Sequence, residues 1–238
     1  MTKEEFIKEI EKLNIEYNEE ILKKLEIYMN FLIEYNSHTN LTKILEEKDI
    51  YLKHFYDSLT ICKVIDLNKI ENLIDIGTGA GFPGMVIKIF FKDIDVYLLD
   101  SNNKKTKFLT ELAKKLNLKV TIINDRVENF AKSNLNKFDV VTSRAVANLR
   151  VLSEISLPLV KVNGYFVALK GNVEEELKEA NETIDILNGF LKEKVTFELY
   201  NNSGLRNILL IEKLKKSEVK NLRAYDKILK KPLKKNGK

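Results

Sequence analysis

The sequence predicts an α/β chain: a mostly parallel, doubly wound sheet with an antiparallel edge near the C-terminus and a helical cap at the N-terminus. Three observations predict it. From Asn72 onward, short apolar runs alternate with amphipathic segments. A turn holding four glycines in eight residues follows the first of those runs, and before residue 67 the apolar residues recur at helical spacing instead.

The cap comes first. Phe6, Ile7, Ile10 and Leu13 share one helical face, and Ile21, Leu22, Leu25, Met29, Leu32 and Ile33 share a second. The polar run Asn36-Ser37-His38-Thr39-Asn40 is expected to break the second helix, and a third is expected over residues 51–64. Buried strands are predicted at 73–76, 96–99, 120–123, 138–142 and 165–169, with helices between them at 82–91, 104–116 and 149–160. Pro158 is expected to shorten or kink the last of these. A helix over 173–190 follows. Segments 194–200 and 206–211 then lack a helix-length connector, which predicts an antiparallel hairpin at one edge of the sheet. The resulting division is a helical cap (1–66), a core (67–212) and a basic tail (213–238).

At 238 residues, 44% hydrophobic and 32% charged, the composition is globular. The longest uncharged run, 76–87, has 12 residues where a membrane span needs ~20. The opening Met1-Thr2-Lys3-Glu4-Glu5-Phe6 lacks the basic-then-apolar order of a secretory signal, so a cytoplasmic location is expected. One cysteine, Cys62, and two histidines, His38 and His54, exclude an intrachain disulfide and give no zinc-ligand spacing. The net charge is +5, but residues 213–238 alone carry +9, which leaves −4 on the rest. A basic tail on an acidic body is an electrostatic footprint for phosphates such as those of RNA, although the chain is rich in lysine throughout.

The stretch Asp75-Ile76-Gly77-Thr78-Gly79-Ala80-Gly81-Phe82-Pro83-Gly84 joins the first strand to a helix. Glycines there let the backbone turn tightly and approach a ligand, and the helix start offers unpaired N–H groups. Pro83 suits a first helical turn. Gly79-x-Gly81-x-x-Gly84 also fits the fingerprint of nicotinamide dinucleotide enzymes. The acid two residues before Gly77, however, gives D-x-G-x-G-x-G, the pattern of Rossmann-like class I enzymes that bind S-adenosylmethionine (SAM). The Asp75 carboxylate can meet the cationic amino end of SAM, directly or through water, whereas a pyrophosphate would gain nothing from it.

Asp100, 16 residues after Gly84, ends the second strand, where a carboxylate can accept both ribose hydroxyls of NAD or of SAM; a cap for the helix starting near Asn102 is the plain structural alternative. The third strand runs into Asn124-Asp125-Arg126-Val127-Glu128, which is either an adenine clamp or a capped helix start. The fourth ends Thr142-Ser143-Arg144-Ala145, without the Pro-Pro-aromatic step used on exocyclic amines. Cys62, in the cap, is badly placed to be the nucleophile that pyrimidine C5 methylation needs. What remains is an acceptor needing little or no activation, such as guanine N7, for which proximity and orientation carry the rate. Arg144 can read guanine, phosphate or a cofactor carboxylate, or form a surface ion pair; with Arg126 and Arg150 it places three of the five arginines in the presumed cleft. His54 and Asp57, at i and i+3, are read as a hydrogen-bonded structural pair ahead of a catalytic one.

Taken together these segments closely resemble the bacterial RsmG family, also called glucose-inhibited division protein B, the guanine-N7 methyltransferases of small-subunit ribosomal RNA. The likeness runs from about residue 40 to 211. It comprises Asn40-Leu41-Thr42, His-x-x-Asp-Ser-Leu at 54–59, the loop 75–84, Leu-Leu-Asp-Ser at 98–101 with the Lys-Lys-x-x-Phe-Leu after it, Asp125 to Glu128, Ser-Arg-Ala at 143–145, Ala-Leu-Lys-Gly at 168–171, and Arg206-Asn207.

The resemblance implies a SAM-dependent enzyme that methylates a guanine N7 in 16S rRNA, met within a small ribosomal subunit or its precursor. A monomer is expected because no separate apolar surface stands out in the sequence, and no metal because no cluster has ligand spacing. The resemblance also implies SAM contacts from Gly77, Phe82, Val127, Glu128 and Arg144, beside Gly79 of the glycine loop and Asp100 at the ribose, with no catalytic acid or base. Arg144, Lys170, Arg206 and Arg223 would serve the RNA. In the tail Arg223 and Lys230-Lys231-Pro232-Leu233 match the family, but Asp226-Lys227-Ile228 replaces its Gly-x-Pro step, which leaves the tail's conformation open, a segment that folds on RNA being one reading. The alternatives are a small-molecule methyltransferase, an NAD-dependent oxidoreductase and a non-catalytic RNA-binding module.

Overall fold

A computed structural model of the chain describes residues 1–144 and 147–234. Ala145, the last residue of the Ser-Arg-Ala step, and residues 235–238 of the basic tail lie outside the described residues.

Helix α1 (Lys3–Lys12) opens with a capping box in which the Thr2 hydroxyl accepts from the Glu5 N–H and the Glu5 carboxylate accepts from the Thr2 N–H. Helix α2 (Glu19–Thr39) starts at Asn18, whose side chain accepts from the Ile21 N–H, and ends at Asn40 in the left-handed conformation. The polar run 36–39 therefore does not break the helix as expected. Asn36 is buried, and its side-chain oxygen takes the Thr42 N–H at 2.9 Å, so the chain turns only after Asn40. The third helical segment begins at Glu47, earlier than expected, and is not uniform: it winds as a π-helix over Ile50–Tyr56 and tightens to 3₁₀ over Thr60–Lys63.

Among the described residues the sheet has seven strands: β1 (Asn72–Ile76), β2 (Asp95–Asp100), β3 (Thr121–Asn124), β4 (Phe138–Arg144), β5 (Val160–Lys170), β6 (Gly189–Glu198) and β7 (Leu205–Lys213), in spatial order β3-β2-β1-β4-β5-β7-β6. The first five pair in parallel. β7 runs antiparallel to β5 and to β6, so the expected hairpin forms the edge, longer than its two predicted segments. Helices α3 (Gly84–Phe90), α4 (Asn103–Lys115), α5 (Leu149–Ser156) and α6 (Glu174–Ile186) connect the strands. α5 stops two residues before Pro158, whose ring and missing N–H cannot extend it. α6 ends at Ile186, and Phe190 enters β6 instead.

Alternation along the strands feeds two cores. Leu73, Leu98, Val140 and Val167 face the side covered by the cap, α3 and α4; Ile74, Leu99, Val141 and Phe166 face the side covered by α5 and α6. The cap shares the first core through stacked rings: Phe31 on Phe108 at 5.3 Å and Tyr28 on Phe82 at 5.1 Å. The sheet order reverses between β1 and β4, one of which leads to β2 and the other to β5. A crevice opens outside the C-terminal ends of such a strand pair, and both the glycine loop and Arg144 lie there.

The tail's helix α7 (Tyr225–Lys230) packs on the body with Ile228 buried, held there by two arginines and a buried carboxylate.

Candidate cofactor cleft

β1 ends at Ile76, and the chain must turn at once to enter α3. Gly77 and Thr78 both donate their N–H to the Leu99 carbonyl on β2, and Gly77 and Gly79 hold positive φ values of 66° and 62°. Gly84 is needed for space: a Cβ there would press on Leu98 and come within 2.9 Å of the Asp75 Cβ. A Cβ on Gly79 would meet nothing closer than 4.0 Å, so that side of the loop is open.

What opens there is a cleft of about 520 Å³, within the usual range of ligand pockets. Gly77, Gly79, Phe82, Asp100, Val127, Glu128 and Arg144, all seven expected cofactor contacts, line it. They come from four separate strand ends, which the parallel sheet gathers into one place.

Asp75 does not line the cleft. Its carboxylate is fully buried beneath the loop, with Oδ2 accepting from the Thr78 hydroxyl at 2.7 Å and the Gly84 N–H at 2.9 Å. Among the described residues Oδ1 has no hydrogen-bond partner, and burial pushes the carboxyl up to about 7. Asp75 is thus placed to close the loop, and of the two meetings expected with an amino group in the cleft the direct one is corrected. Asp100 does reach the cleft, with one oxygen 2.9 Å from the Gly79 N–H and the other 2.9 Å from the Asn102 N–H. The helix cap itself is Asn102, so Asp100 braces the loop and leaves lone pairs toward the cavity.

Arg144, at the end of β4, is held from the cap. Its Nη1 donates to the Lys53 carbonyl at 2.7 Å and lies 3.3 Å from Asp57 Oδ2; its Nη2 is 3.1 Å from His54 Nδ1. Since a guanidinium only donates, Nδ1 is the acceptor, and the imidazole proton sits on Nε2, facing the Thr42 hydroxyl at 3.1 Å. Burial, reinforced by the Arg144 charge, lowers His54 to about 3, so the ring is neutral. His54 and Phe82 stack at 4.1 Å, and the Arg144 guanidinium stands 5.3 Å over the same Phe82 ring. The expected His54–Asp57 hydrogen bond is replaced by convergence of both residues on Arg144.

The remaining expected residues are placed as follows. Arg206 Nε donates to Asp57 Oδ1 at 2.9 Å and its guanidinium is partly exposed. Lys170 is mostly buried, its ammonium bound to the Ala147 carbonyl and to Glu176. Arg223 grips the buried Glu154 and donates to the Lys231 carbonyl, and Arg150 donates to the Ile228 carbonyl rather than lining the cleft as expected. Lys105, Ile155 and Tyr225 line the cleft without having been singled out. Lys105, 3.6 Å from Asp100, enters the sequence reading only within the Lys-Lys-x-x-Phe-Leu step, with no role of its own. Tyr225 carried no signal, because its place depends on where the tail docks. Among the described residues no group of three or more His, Cys, Asp or Glu is set to hold a metal, and no helix is long and apolar enough to cross a membrane.

The profile of the family described as rRNA small subunit methyltransferase G matches residues 21–205. A ribosomal RNA small subunit methyltransferase G of Desulforamulus reducens is 48% identical over 197 residues, covering 81% of this chain and 82% of that one. Its counterpart in Bacillus velezensis is 44% identical over 224 residues, covering 92% and 94%. A solved SAM-dependent O-methyltransferase of Thermotoga maritima superposes with a TM-score of 0.54 at 16% identity, over 79% of this chain and 72% of that one, which is a likeness of fold.

Proposed function

On the premise that the chain belongs to the rRNA small subunit methyltransferase G family, we propose that it transfers the methyl group of SAM to N7 of a guanine in 16S rRNA. The observation that carries the reading is the convergence of all seven expected cofactor residues on one cleft at the sheet's switch point.

The cleft fits the cofactor. The open face beside Gly79 leaves room for a ligand against the backbone, Asp100 and Glu128 offer carboxylates to hydroxyl and amino groups, and Val127 gives an apolar wall for adenine. Arg144 would bind the cofactor's carboxylate. SAM when bound supplies an electrophilic methyl group.

The chain's own residues then position and shield. Guanine N7 already presents a lone pair, so accepting the methyl group that bound SAM would supply would release no proton and would ask no base of the chain. The one histidine near the site fits that chemistry, because both its nitrogens are engaged and its pKa of about 3 leaves it no role as a base at neutral pH. Arg206, partly exposed beside Asp57, is the arginine placed to meet RNA. Lys170 and Arg223, tied to Glu176 and Glu154, support the cleft's surroundings. We place the substrate within a small ribosomal subunit or its precursor, in the cytoplasm, and take the working unit to be a monomer.

The test is transfer from labelled SAM to small subunits lacking the modification, with protein-free rRNA beside them and cleavage mapping specific for 7-methylguanine. Label at one guanine N7 that disappears in Gly77→Asp, with SAM binding lost in the same variant, supports the reading. Transfer to a small molecule without RNA, independent of salt, overturns it.

A further inference from the structure

The basic tail does more than add charge: it delivers an aromatic ring to the cleft. Tyr225, the first residue of α7, lines the same cavity as Gly77 and Val127, although it lies 98 residues beyond Val127 in the chain. Its placement is overdetermined. Two residues before it, Arg223 clasps the buried Glu154 of α5. Three residues after it, Ile228 is buried, and Arg150 of α5 donates to the Ile228 carbonyl at 2.9 Å. The tail is closed on itself by Arg223 Nη1 to the Lys231 carbonyl at 2.8 Å.

Such an investment fixes the ring. Tyr225 is half-buried, packs against the core cluster that contains Ile155, and shares the cavity wall with Ile155 and Val127. Flat apolar walls of this kind select planar rings, and an aromatic side chain adds stacking to the contact. Resting on the methyltransferase reading above, we propose that Tyr225 is a purine-positioning residue of the cleft, stacking either on the adenine of SAM or on the target guanine. The lysines on the same helix and just after it, Lys227, Lys230, Lys231 and Lys234, are exposed and outside every ion pair formed among the described residues, so phosphates flanking a guanine in the cleft would lie against the segment that carries the ring.

The experiment compares Tyr225→Ala and Tyr225→Phe in the full chain. SAM and S-adenosylhomocysteine affinities are measured by calorimetry without RNA, and KM and kcat for small subunits in the transfer assay, with thermal unfolding as the folding check. If adenine is the partner, Tyr225→Ala weakens SAM binding about tenfold and Tyr225→Phe restores it. If guanine is the partner, SAM affinity stays, and KM for the subunit rises or kcat falls by a similar factor, again restored by Phe. A folded Tyr225→Ala variant with wild-type SAM affinity, KM and kcat overturns the proposal while leaving the methyltransferase reading intact. Failure of the wild-type chain to methylate any RNA sinks that reading, and the SAM titration still decides the adenine arm. A variant in which Ala and Phe are equally impaired overturns stacking as the role.

Discussion

Arg144 and Asp57 stand 87 positions apart in the chain and meet at 3.3 Å, Nη1 to Oδ2, while the other oxygen of Asp57 lies 2.9 Å from Arg206. One buried carboxylate from the cap thus holds two guanidiniums from the sheet, one in the cofactor cleft and one on its outer side. The cap reaches the cleft through this residue as well as through its stacked rings.

Removing that carboxylate leaves two arginines without their shared anion. Asp57→Ala is expected to cost about 2–4 kcal/mol in denaturant unfolding, near the low end for breaking a buried pair because Arg206 is partly exposed. It is also expected to weaken SAM binding, since Arg144 keeps the Lys53 carbonyl and His54 but loses the group that balances its charge. Unfolding curves and SAM titrations of Asp57→Ala check both; a variant with unchanged stability and affinity would show the ion pairs to be incidental.

Two glycines of the loop are expected to fail in different ways. Gly84→Ala forces a methyl group against Leu98 and Asp75, so the cost falls on folding, on the order of 1–3 kcal/mol. Gly79→Ala meets no atom, but its φ of 62° disfavours a side chain and the new methyl points into open cleft, so it combines a cost of about 1 kcal/mol in stability with a larger loss of SAM affinity. Melting temperature and SAM affinity measured on both variants separate the two effects.

The contrast shows what sequence could and could not disclose. The parallel strands, the glycine loop and the cleft residues were legible because each belongs to a local pattern: a period of two, a turn that needs glycine, an acid at a strand end. Asp75 misled because the pattern tells that an acid is present and not which way its side chain faces; the strand alternation that sends Ile74 and Ile76 to one core sends Asp75 to the other side, under the loop. The polar run at 36–40 misled because Asn36 found its partner in Thr42 after the helix end. Arg150, Arg223 and Tyr225 were illegible because their partners are set by how the tail docks on α5, a contact with no periodicity to read.

Asp75 should also leave a pH signature. Its carboxyl is raised from an ordinary 3.8 to about 7 in the folded chain, so between those values the folded state binds a proton that the unfolded state has released. This contribution to stability is complete below about pH 4 and is lost as pH rises through about 7. Asp75→Asn cannot ionise and keeps an oxygen for Thr78 and Gly84, so stability of the wild type relative to this variant should fall steadily from pH 4 to 7.5. A difference that stays flat over that range would place the Asp75 pKa near its ordinary value.

His54 makes the opposite contribution and answers the question of a catalytic base. Its folded pKa of about 3, below the ordinary 6.5, means the unfolded state binds the extra proton between those values; the stability it confers is present above about pH 6.5 and lost as pH falls through about 3. At working pH the neutral ring serves as acceptor for Arg144 and donor to Thr42, a role an amide can imitate. His54→Asn, whose side-chain oxygen falls near the position of Nδ1, is expected to retain most of kcat, while His54→Ala raises the SAM dissociation constant by freeing Arg144 and unstacking Phe82. The pH profile of kcat should show no limb near 6.5 in the wild type. A limb there that vanishes in His54→Asn would make the histidine a base and the acceptor a group that must lose a proton, and guanine N7 would then be the wrong atom.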